Sequence, residues 1–388
     1  MAGLMAERGA RLGIGAIMVS RLFYSLSWYN ISPALIPISN TFGVPLSYIG
    51  IALSSFLIGA GVFQLPAGII SSRIGPRKTA LYGLYLMSFA GIASSFSQTF
   101  PELVILRFMI GVGAAFYFST AMALINDLYP GNLTKMIGYY SAAFNIGAGA
   151  GIMLFTPVVS SLGWRIDFLS SGVALLISTI VLQLAVRNTE TYAAFDFHGI
   201  RKRMVDRRIW IIGLALVGLW ALNYTVPEYF KTYATLIGID QFQAGIMGGL
   251  IPVAGILGGI LTGPLRKYNP VKLCALLVIV VGLMVALIPV VPIAGMWLIL
   301  AVVGIVATIV ISLEFSIVAG LERNSRYIPI NIGLLNSIQL GVGSMIPAIF
   351  GFVMIYGFSY SWLFLGWFAI VVMTLLLLLP GNQSYAAP

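Results

Sequence analysis

Arg21 is the charged residue placed most deeply in the apolar first part of the chain, ten residues beyond Arg11. Tyr24 and Trp28 follow it at helical spacing, so the three side chains lie on about the same face of a helix. A guanidinium group binds a carboxylate through two parallel hydrogen bonds, and neighbouring aromatic groups would exclude water from the pair. The pattern predicts a site for an organic anion. The alternative is that Arg21 pairs permanently with a buried acid and only braces the fold.

Two carboxylates in the C-terminal part of the chain lie in apolar surroundings. Glu314 is well inside an apolar segment, where loss of water disfavours the charged form, so we predict that it carries a coupled proton. Alternatively, it is a satisfied partner of a polar group such as Asn336 or of an arginine. Glu228 and Lys231 are three residues apart near the end of another segment, and we expect them to form an exposed ion pair.

Further polar side chains within apolar segments could complete the lining of a substrate site. Each could instead form a hydrogen bond between helices, which is common in membrane proteins. They are Tyr117, Asn145, Tyr224, Asn336 and Gln339. Asp127 precedes Tyr129 and Pro130 at the end of a segment, where we expect it to cap a helix or to act in a gate.

The sequence lacks the motifs of several functional classes. It has no phosphate-binding G-x-x-x-x-G-K-[ST] loop, which argues against an ATPase, and no H-E-x-x-H or G-x-S-x-G, which argues against an intramembrane hydrolase. It also has no T-V-G-Y-G filter, which argues against a potassium channel. One Cys and one His argue against a disulfide framework and a zinc or haem site. We therefore expect no enzyme activity, no cofactor and no metal.

The composition places the chain in a membrane. Of its 388 residues, 60% are hydrophobic and 8% are charged, whereas about 45–50% and 25% are usual in soluble domains. Charges, prolines and glycines divide it into twelve apolar stretches of spanning length. They cover approximately 12–38, 47–71, 79–98, 102–126, 136–159, 164–186, 209–232, 242–265, 271–290, 293–318, 328–356 and 361–379.

The distribution of positive charge predicts the orientation. If the N-terminus is cytoplasmic, 17 of the 21 Lys and Arg residues lie in cytoplasmic segments, all except Arg21, Arg107, Arg165 and Lys231. The positive-inside rule then places both termini in the cytoplasm, in a multi-pass protein of the cell membrane. We expect the first apolar run to be a span rather than a cleaved signal peptide, because no small-residue cleavage pattern follows it. Topology accounts for the net charge of +10, so no nucleic-acid partner is expected.

The chain contains an internal repeat at an offset of 194 residues. Residues 30–33 fall on 224–227, residues 73–78 on 267–272, and residues 145–149 on 339–343, each at an equivalent place in a six-helix plan. We predict a six-helix bundle at 1–186, a cytoplasmic linker at 187–208 near anionic lipids, and a second bundle at 209–388. A parallel repeat of this kind places a substrate site between the halves, near the middle of the membrane.

The segment after the second span resembles a signature of the major facilitator superfamily, G-x-x-x-D-R-x-G-R-[RK]. The chain has Gly68, Arg73, Gly75, Arg77 and Lys78 at matching places. The resemblance implies a gate on the cytoplasmic side at these residues. Ser72 stands where the family has an acidic residue, so the usual lock of that gate is missing or is made in another way.

Other motifs extend the resemblance to most of the chain. Arg107, Gly111 and Gly113 match R-x-x-x-G-x-G in the fourth helix, where the family's arginine is associated with helix packing and proton coupling. Arg21, before a polar stretch, is similar to the anion:cation symporter branch. The glycines at 138, 147 and 151 follow the spacing of the family's antiporter motif. The resemblance implies an all-α membrane protein with twelve helices in two pseudo-symmetric six-helix bundles.

These observations together favour a secondary transporter that works by alternating access. We expect it to move a small organic anion, either a monocarboxylate or a sugar acid, together with protons, and to be monomeric. Two alternatives stay open. The first is a proton-coupled exporter of lipophilic drugs or cations, in which Arg21 is structural, and the second is a receptor or scaffold that binds without transport.

Overall fold

The chain folds almost entirely into helices, as its continuous apolar segments require in lipid. A computed structural model describes residues 2–128, 133–186, 204–265, 267–321 and 328–378. Within these ranges there are sixteen α-helices: α1 Ala2–Tyr29, α2 Leu35–Phe42, α3 Gly50–Val62, α4 Gln64–Ile74, α5 Pro76–Ser94, α6 Phe100–Leu128, α7 Leu133–Met153, α8 Phe155–Leu162, α9 Trp164–Ala185, α10 Arg207–Leu236, α11 Gln241–Leu265, α12 Pro270–Ala286, α13 Ile293–Gly320, α14 Ile328–Gly343, α15 Ile346–Val353 and α16 Phe358–Met373.

Helices occur at all twelve positions where the sequence predicts a span. Within the described ranges, eight helical segments are long and apolar enough to cross a membrane, and α3 with α4 forms a further span bent by 43°. Helix α12 is apolar but shorter. The first span consists of α1, a 3-10 turn at Ser32–Ala34 and α2, and the third span is α5. Proline at Pro33 interrupts the first span, because it lacks an amide hydrogen for the helical ladder.

The two halves repeat the same packing of helices. In the first half, α1 packs against α7 and α9, α6 against α3 and α5, and α5 against α9. In the second half, α10 packs against α14 and α16, α13 against α11 and α12, and α12 against α16. Each contact of one half has its counterpart at the equivalent span of the other, which is the arrangement that the 194-residue repeat predicts.

Two glycines at the same offset show the repeat in the backbone. Gly163 precedes α9 with φ +85° and ψ 161°, and Gly357 precedes α16 with φ +119° and ψ 147°. This region of backbone space is essentially reserved for glycine. Both residues turn the chain before the last span of their half, so the two halves have a glycine with a similar backbone conformation at the equivalent turn.

The halves meet along two equivalent seams. Helix α7 packs against α11, and α3 packs against α14 and α15. Glycines let the backbones approach at both seams: Gly61 lies against the backbone of Leu340 and Gly341, and Gly149 lies against Gly249. We use "inner end" for the end of the bundle where α1 begins and "outer end" for the opposite end. At the outer end, residues of both halves share one hydrophobic core.

Candidate functional site

Arg21 is held in an aromatic box formed by three helices of the first half. Its guanidinium carbon lies 4.2 Å from the ring centre of Tyr140, 4.5 Å from Phe144, 4.7 Å from Tyr24 and 5.4 Å from Phe118. These residues belong to α7, α1 and α6. Ring faces attract a cation within about 6 Å of their centres, and more strongly when water is excluded. The box therefore keeps a positive charge inside the bundle without a negative partner.

The guanidinium of Arg21 retains unused hydrogen-bond donors. Its side chain is 6% exposed, and neither Nε nor Nη1 has a hydrogen-bond partner in the described part of the chain. No carboxylate of the described residues lies within 4 Å of it. These two donors point away from different sides of the guanidinium, and each can donate to an oxygen of an anion. Arg21 thus has the charge and the free donors of an anion site, and the permanent acid partner of the alternative interpretation is not present among these residues.

A chain of aromatic rings joins Arg21 to the second half. Tyr24 packs against Trp28 with ring centres 5.5 Å apart, Trp28 against Tyr224 at 5.6 Å, and Tyr224 against Trp220 at 5.4 Å. The step from Trp28 to Tyr224 crosses from α1 to α10. Three of the predicted substrate residues therefore lie together in the middle of the molecule, and movement between the halves must change their packing.

Two predicted tyrosines use their hydroxyl groups within the first half. The Tyr117 hydroxyl donates to the carbonyl of Ile17 at 3.0 Å, and the Tyr24 hydroxyl donates to that of Ala114 at 3.2 Å. The two rings lie 5.2 Å apart. These bonds tie α1 to α6, so the hydroxyls position the helices and the ring faces shape the space beside Arg21.

Glu314 lies in a polar cluster of the second half. It is fully buried, accepts a hydrogen bond from Gln339 Nε2 at 2.9 Å, and accepts another from Trp220 Nε1 at 3.2 Å. Gln339 Oε1 and Asn336 Oδ1 have no partner among the described residues. The partners of Glu314 are therefore Gln339 and Trp220, instead of the Asn336 or arginine considered from the sequence.

A small cavity lies where the two halves meet. It has a volume of about 20 Å³, which is space for about one water molecule. Asn145 is at its surface with residues of both halves: Tyr29, Phe144, Asn223, Pro227, Ile251, Pro252, Gly255, Gly304 and Thr308. An organic anion has no room in this cavity while the halves are packed as they are here.

Arg107 is fully buried in α6 and faces the second half. It donates long hydrogen bonds to the carbonyls of Ser27 and Trp28 at 3.5 and 3.4 Å, and its guanidinium carbon lies 4.8 Å from the ring centre of Phe56. Arg107 and Glu228 both line a second cavity of about 10 Å³. Arg107 therefore braces α1 and also points at a carboxylate of the other half.

The expectation of an exposed ion pair between Glu228 and Lys231 is wrong. Both side chains are buried, at 7% and 5% exposure. Lys231 Nζ donates instead to the carbonyl of Pro33 in the first half, at 3.5 Å. Helical spacing correctly puts the two residues near one another, but that face of α10 meets the other half instead of lipid headgroups.

Reciprocal hydrogen bonds of Ser32 and Lys231, which together form a latch, close the outer end. Ser32 Oγ donates to the carbonyls of Pro227 and Glu228 at 2.8 and 2.9 Å, while Lys231 donates to Pro33. Pro33 and Pro227 are equivalent residues of the repeat. Each proline carbonyl thus accepts a hydrogen bond from a side chain of the other half, at the point where the first spans of the two halves cross.

The residues of the predicted gate lie at the inner end. Gly75 has φ +90° and precedes Pro76 at the start of α5, so it makes the turn between the second and third spans. Arg77 donates to the carbonyls of Gln183 and Val186 at the end of α9. Arg73 and Lys78 are exposed, and Gly68 has open space beside it. Asp127 is half-buried at the end of α6, next to residues outside the described ranges.

Sequence reasoning missed three rings of the Arg21 box. Tyr140 and Phe144 are four residues apart on α7, immediately before Asn145, and this spacing could have identified them. Phe118, next to Tyr117, carried no such signal. Glu228 was assigned to the lipid interface because a sequence does not show which helix face meets the other half.

Comparison with known proteins agrees with this architecture. The family model of the Major Facilitator Superfamily matches residues 17–326. The probable L-galactonate transporter of Escherichia coli is 25% identical over 60% of this chain and 56% of its own length. The 4-hydroxybenzoate transporter PcaK of Pseudomonas putida is 24% identical over 65% of this chain and 64% of its own. The chain therefore spans less than two thirds of the length of these relatives.

A third relative and a solved structure are also similar to this chain. The multidrug efflux protein YfmO of Bacillus subtilis is 31% identical over 39% of this chain and 38% of its own length. A bacterial homolog of the human lysosomal transporter Spinster, in an inward-facing and unoccupied conformation, has the same fold with a TM-score of 0.75, at 15% identity over 95% of this chain and 96% of its own. With twelve spans in two repeated bundles and a family match over residues 17–326, this multi-pass membrane protein belongs to the Major Facilitator Superfamily.

Proposed function

We propose that this protein is a secondary transporter of a small organic anion that carries one carboxylate, such as a monocarboxylate or a sugar acid. The observation that carries the proposal is the buried guanidinium of Arg21, which has free Nε and Nη1 donors and no carboxylate within 4 Å in the described ranges. A buried charge without a partner is costly. A bound carboxylate would supply the missing negative charge and accept a hydrogen bond from one of these donors.

The packing of the halves supports a transport cycle by alternating access. Arg21, Tyr24 and Trp28 belong to the first half and Tyr224 to the second, and the cavity between the halves holds about one water molecule. Substrate therefore enters when one end of the seam opens, and it is enclosed when the aromatic rings meet again. This is alternating access, with the ring contact between Trp28 and Tyr224 as the part that opens.

We further propose that a proton moves with the anion, and that Glu314 carries it. Glu314 is fully buried beside Trp220, which packs against Tyr224 at the centre. A carboxyl in this setting exchanges a proton when the cavity opens to water and becomes neutral again on closure. The protein would be a monomer of the cell membrane with both termini in the cytoplasm, and anionic lipids would contact its inner basic segments.

Two relatives support a carboxylate substrate. The E. coli protein is a probable L-galactonate transporter and the P. putida protein a 4-hydroxybenzoate transporter, and both compounds are carboxylates. One carries hydroxyl groups and the other an aromatic ring. The box around Arg21 offers four ring faces. Of its two tyrosine hydroxyls, that of Tyr24 donates to a backbone carbonyl, and that of Tyr140 has no hydrogen-bond partner in the described ranges. An aromatic carboxylate therefore fits the rings of this box, and the Tyr140 hydroxyl is available for a polar group of the substrate.

The proposal is tested by thermal unfolding of the purified protein with 4-hydroxybenzoate, L-galactonate, the methyl ester of 4-hydroxybenzoate, and tetraphenylphosphonium. A ligand that binds only the folded state stabilises it by RT ln(1 + [L]/Kd), or about 2.7 kcal/mol at a concentration of 100 Kd. We expect a carboxylate to raise the unfolding temperature and its neutral ester to have no effect.

Variants of two arginines identify the site. Arg21→Gln should abolish the shift, because it removes the charge and the forked donors. Arg165→Gln is the matched control, since Arg165 also lies against an aromatic ring, that of Trp164 at 4.5 Å, but binds the carbonyls of Ser95 and Ser97 at the outer end. A carboxylate shift that survives Arg21→Gln contradicts the proposed site.

A second function, export of lipophilic cations, has its own support. The YfmO relative is named a multidrug efflux protein, and a central aromatic chain with a buried carboxylate at Glu314 could receive a cation. In this case, tetraphenylphosphonium would stabilise the protein, Glu314→Gln would remove the effect, and Arg21→Gln would not. Binding of a carboxylate without any uptake into proteoliposomes would instead favour a receptor.

A further inference from the structure

Glu228 and Arg107 face one another across the boundary between the halves without forming an ion pair. They line the cavity of about 10 Å³ at this boundary, together with Trp28 and Tyr224 of the central aromatic chain. Glu228 Oε2 and Arg107 Nε have no hydrogen-bond partner in the described ranges, and these ranges contain no oxygen–nitrogen contact within 4 Å between the two side chains. The carboxyl is therefore buried, incompletely bonded, and separated from the nearest cation by a gap.

The surroundings of Glu228 provide no other cation that could replace this contact. Arg107 from α6 attracts it, while Tyr29 of α1 and the adjacent Tyr229 are neighbours without positive charge, and the Tyr229 hydroxyl donates to the carbonyl of Pro347. Lys231, on the same helix, donates to the carbonyl of Pro33. Asp167 of α9 attracts Arg107 from within the first half and so competes with Glu228 for it.

We propose that Glu228 is a second proton-binding carboxyl, and that it must be neutral before the outer end can close. Burying two separated charges costs more than their attraction returns unless the geometry is close and fully hydrogen-bonded, and this geometry is neither. A neutral carboxyl with one unused oxygen is much cheaper to bury than a carboxylate. When the outer end opens, Glu228 meets water and takes a proton from it, and the proton leaves when the cavity next opens to water.

This inference rests on the proposed function, because it gives the transport cycle a control step. Glu228 is on the second half and Arg107 on the first, so closing the seam is what brings the carboxyl into the low-dielectric gap. Ser32 of the first half binds the carbonyl of Glu228 itself. The latch at the outer end and the proposed proton site therefore share Glu228. The latch closes only when the side-chain carboxyl of Glu228 is neutral.

The distance between the two halves at the outer end, measured against pH, tests this inference without any substrate. Spin labels are placed at Asn40→Cys and Tyr356→Cys, which are exposed on the first and second half, in a background with the buried Cys274 replaced by Ala. Double electron–electron resonance then reports the fraction of closed molecules in nanodiscs. We expect this fraction to rise as the pH falls.

Three variants separate Glu228 from its neighbours. Glu228→Gln mimics the neutral form, so the closed fraction should stay high at every pH. Asp167→Asn removes a buried carboxyl that lies in the same half as Arg107, and the pH dependence should remain. Arg107→Gln removes the cation that favours the charged form of Glu228, so closure should occur at a higher pH than in the parent.

Each outcome has a definite meaning. A parent protein whose closed fraction does not change with pH, or a Glu228→Gln variant that responds to pH like the parent, overturns the inference. A response that disappears in Asp167→Asn and persists in Glu228→Gln also overturns it and assigns the proton to Asp167. Because the measurement needs no ligand, it can fail while the thermal shift with carboxylates succeeds, and the reverse is equally possible. If Glu228→Gln does not fold, the direction of the Arg107→Gln shift still decides the matter.

Discussion

At the scale of the residue, the central site places two buried ionisable groups in different surroundings. Arg21 has four aromatic rings and unused donors, whereas Glu314 has two hydrogen-bond donors of its own half. Charges within a membrane cost about 2.5–3.5 kcal/mol each on insertion scales, so both need a compensation. The rings compensate Arg21 incompletely, and this difference is why we assign the anion to Arg21 and the proton to Glu314.

Glu314→Gln should separate binding from proton coupling. The glutamine oxygen can still accept the hydrogen bond from Trp220, and its NH2 can donate to Gln339 Oε1 once that amide is flipped, so the cluster keeps its shape but cannot exchange a proton. We expect carboxylate-dependent stabilisation and counterflow to be retained, while uptake driven by a proton gradient falls to the level of passive exchange. Proteoliposomes with and without an imposed pH gradient, loaded with the carboxylate that stabilises the parent, measure the two activities.

The control for this variant is Glu102→Gln. Glu102 is exposed at the start of α6, where it accepts hydrogen bonds from the backbone amides of Gln98 and Thr99, so its neutralisation should leave the response to the gradient unchanged. Full gradient-driven uptake in Glu314→Gln would exclude Glu314 as the carrier. It would leave Glu228 as the remaining carboxyl at the boundary of the halves.

At the scale of the element, sequence reasoning recovered more of the spans than of their ends and contacts. The lengths of the apolar stretches and the positions of helix-breaking residues locate twelve helical segments. This works because only helices and closed β-barrels can span the hydrocarbon core. The kinks of the first and second spans and the burial of Glu228 were missed. Helical spacing defines the faces of a helix, but which neighbour covers each face depends on residues more than a hundred positions away. The Arg21 box is of this kind, since it combines α1, α6 and α7.

Gly163→Ala should destabilise the protein through the backbone alone. A Cβ at this position meets no atom within 4 Å, but φ +85° with ψ 161° is strained for any residue except glycine. The expected cost is about 1–3 kcal/mol, and the equivalent Gly357→Ala should behave in the same way. Both variants should lower the apparent unfolding temperature in detergent.

Gly138→Ala provides the opposite expectation in the same assay. This glycine lies within α7 with open space beside it, so alanine should be neutral or should stabilise by about 0.5–1 kcal/mol through a lower entropy of the unfolded chain. If all three variants unfold at the same temperature, the turns at 163 and 357 are not under the constraint that their backbone angles indicate.

At the scale of the whole molecule, the repeat supplies the proposed transport cycle with two equivalent ends. Its two seams, α7 with α11 and α3 with α14 and α15, are exchanged by the same operation that exchanges the halves. Opening can therefore pivot about either pair of ends with similar glycine contacts. In the proposed cycle, residues that differ between the halves, such as Arg21, Glu228 and Glu314, would decide which ligand and which proton accompany each opening.

The latch at the outer end gives a last prediction. The single hydroxyl hydrogen of Ser32 is shared between two carbonyls of α10, and a hydrogen bond of this kind contributes about 0.5–1.5 kcal/mol. Ser32→Ala should therefore increase the open population at the outer end by roughly two- to tenfold. A cysteine at the buried position Thr225, in the Cys274→Ala background, reports this population through its rate of alkylation by a membrane-impermeant maleimide.

Ser160→Ala is the matched control for the latch, because its hydroxyl is also at the outer end but donates to the carbonyl of Pro157 in its own helix. Its alkylation rate should equal that of the parent. Equal rates in Ser32→Ala would mean that the shared apolar core, and not the hydrogen bonds, holds the outer end closed. A faster rate in Ser32→Ala alone would show that a few polar contacts at the crossing of the first spans set the balance between open and closed states, which is what allows a proton at the neighbouring Glu228 to shift it.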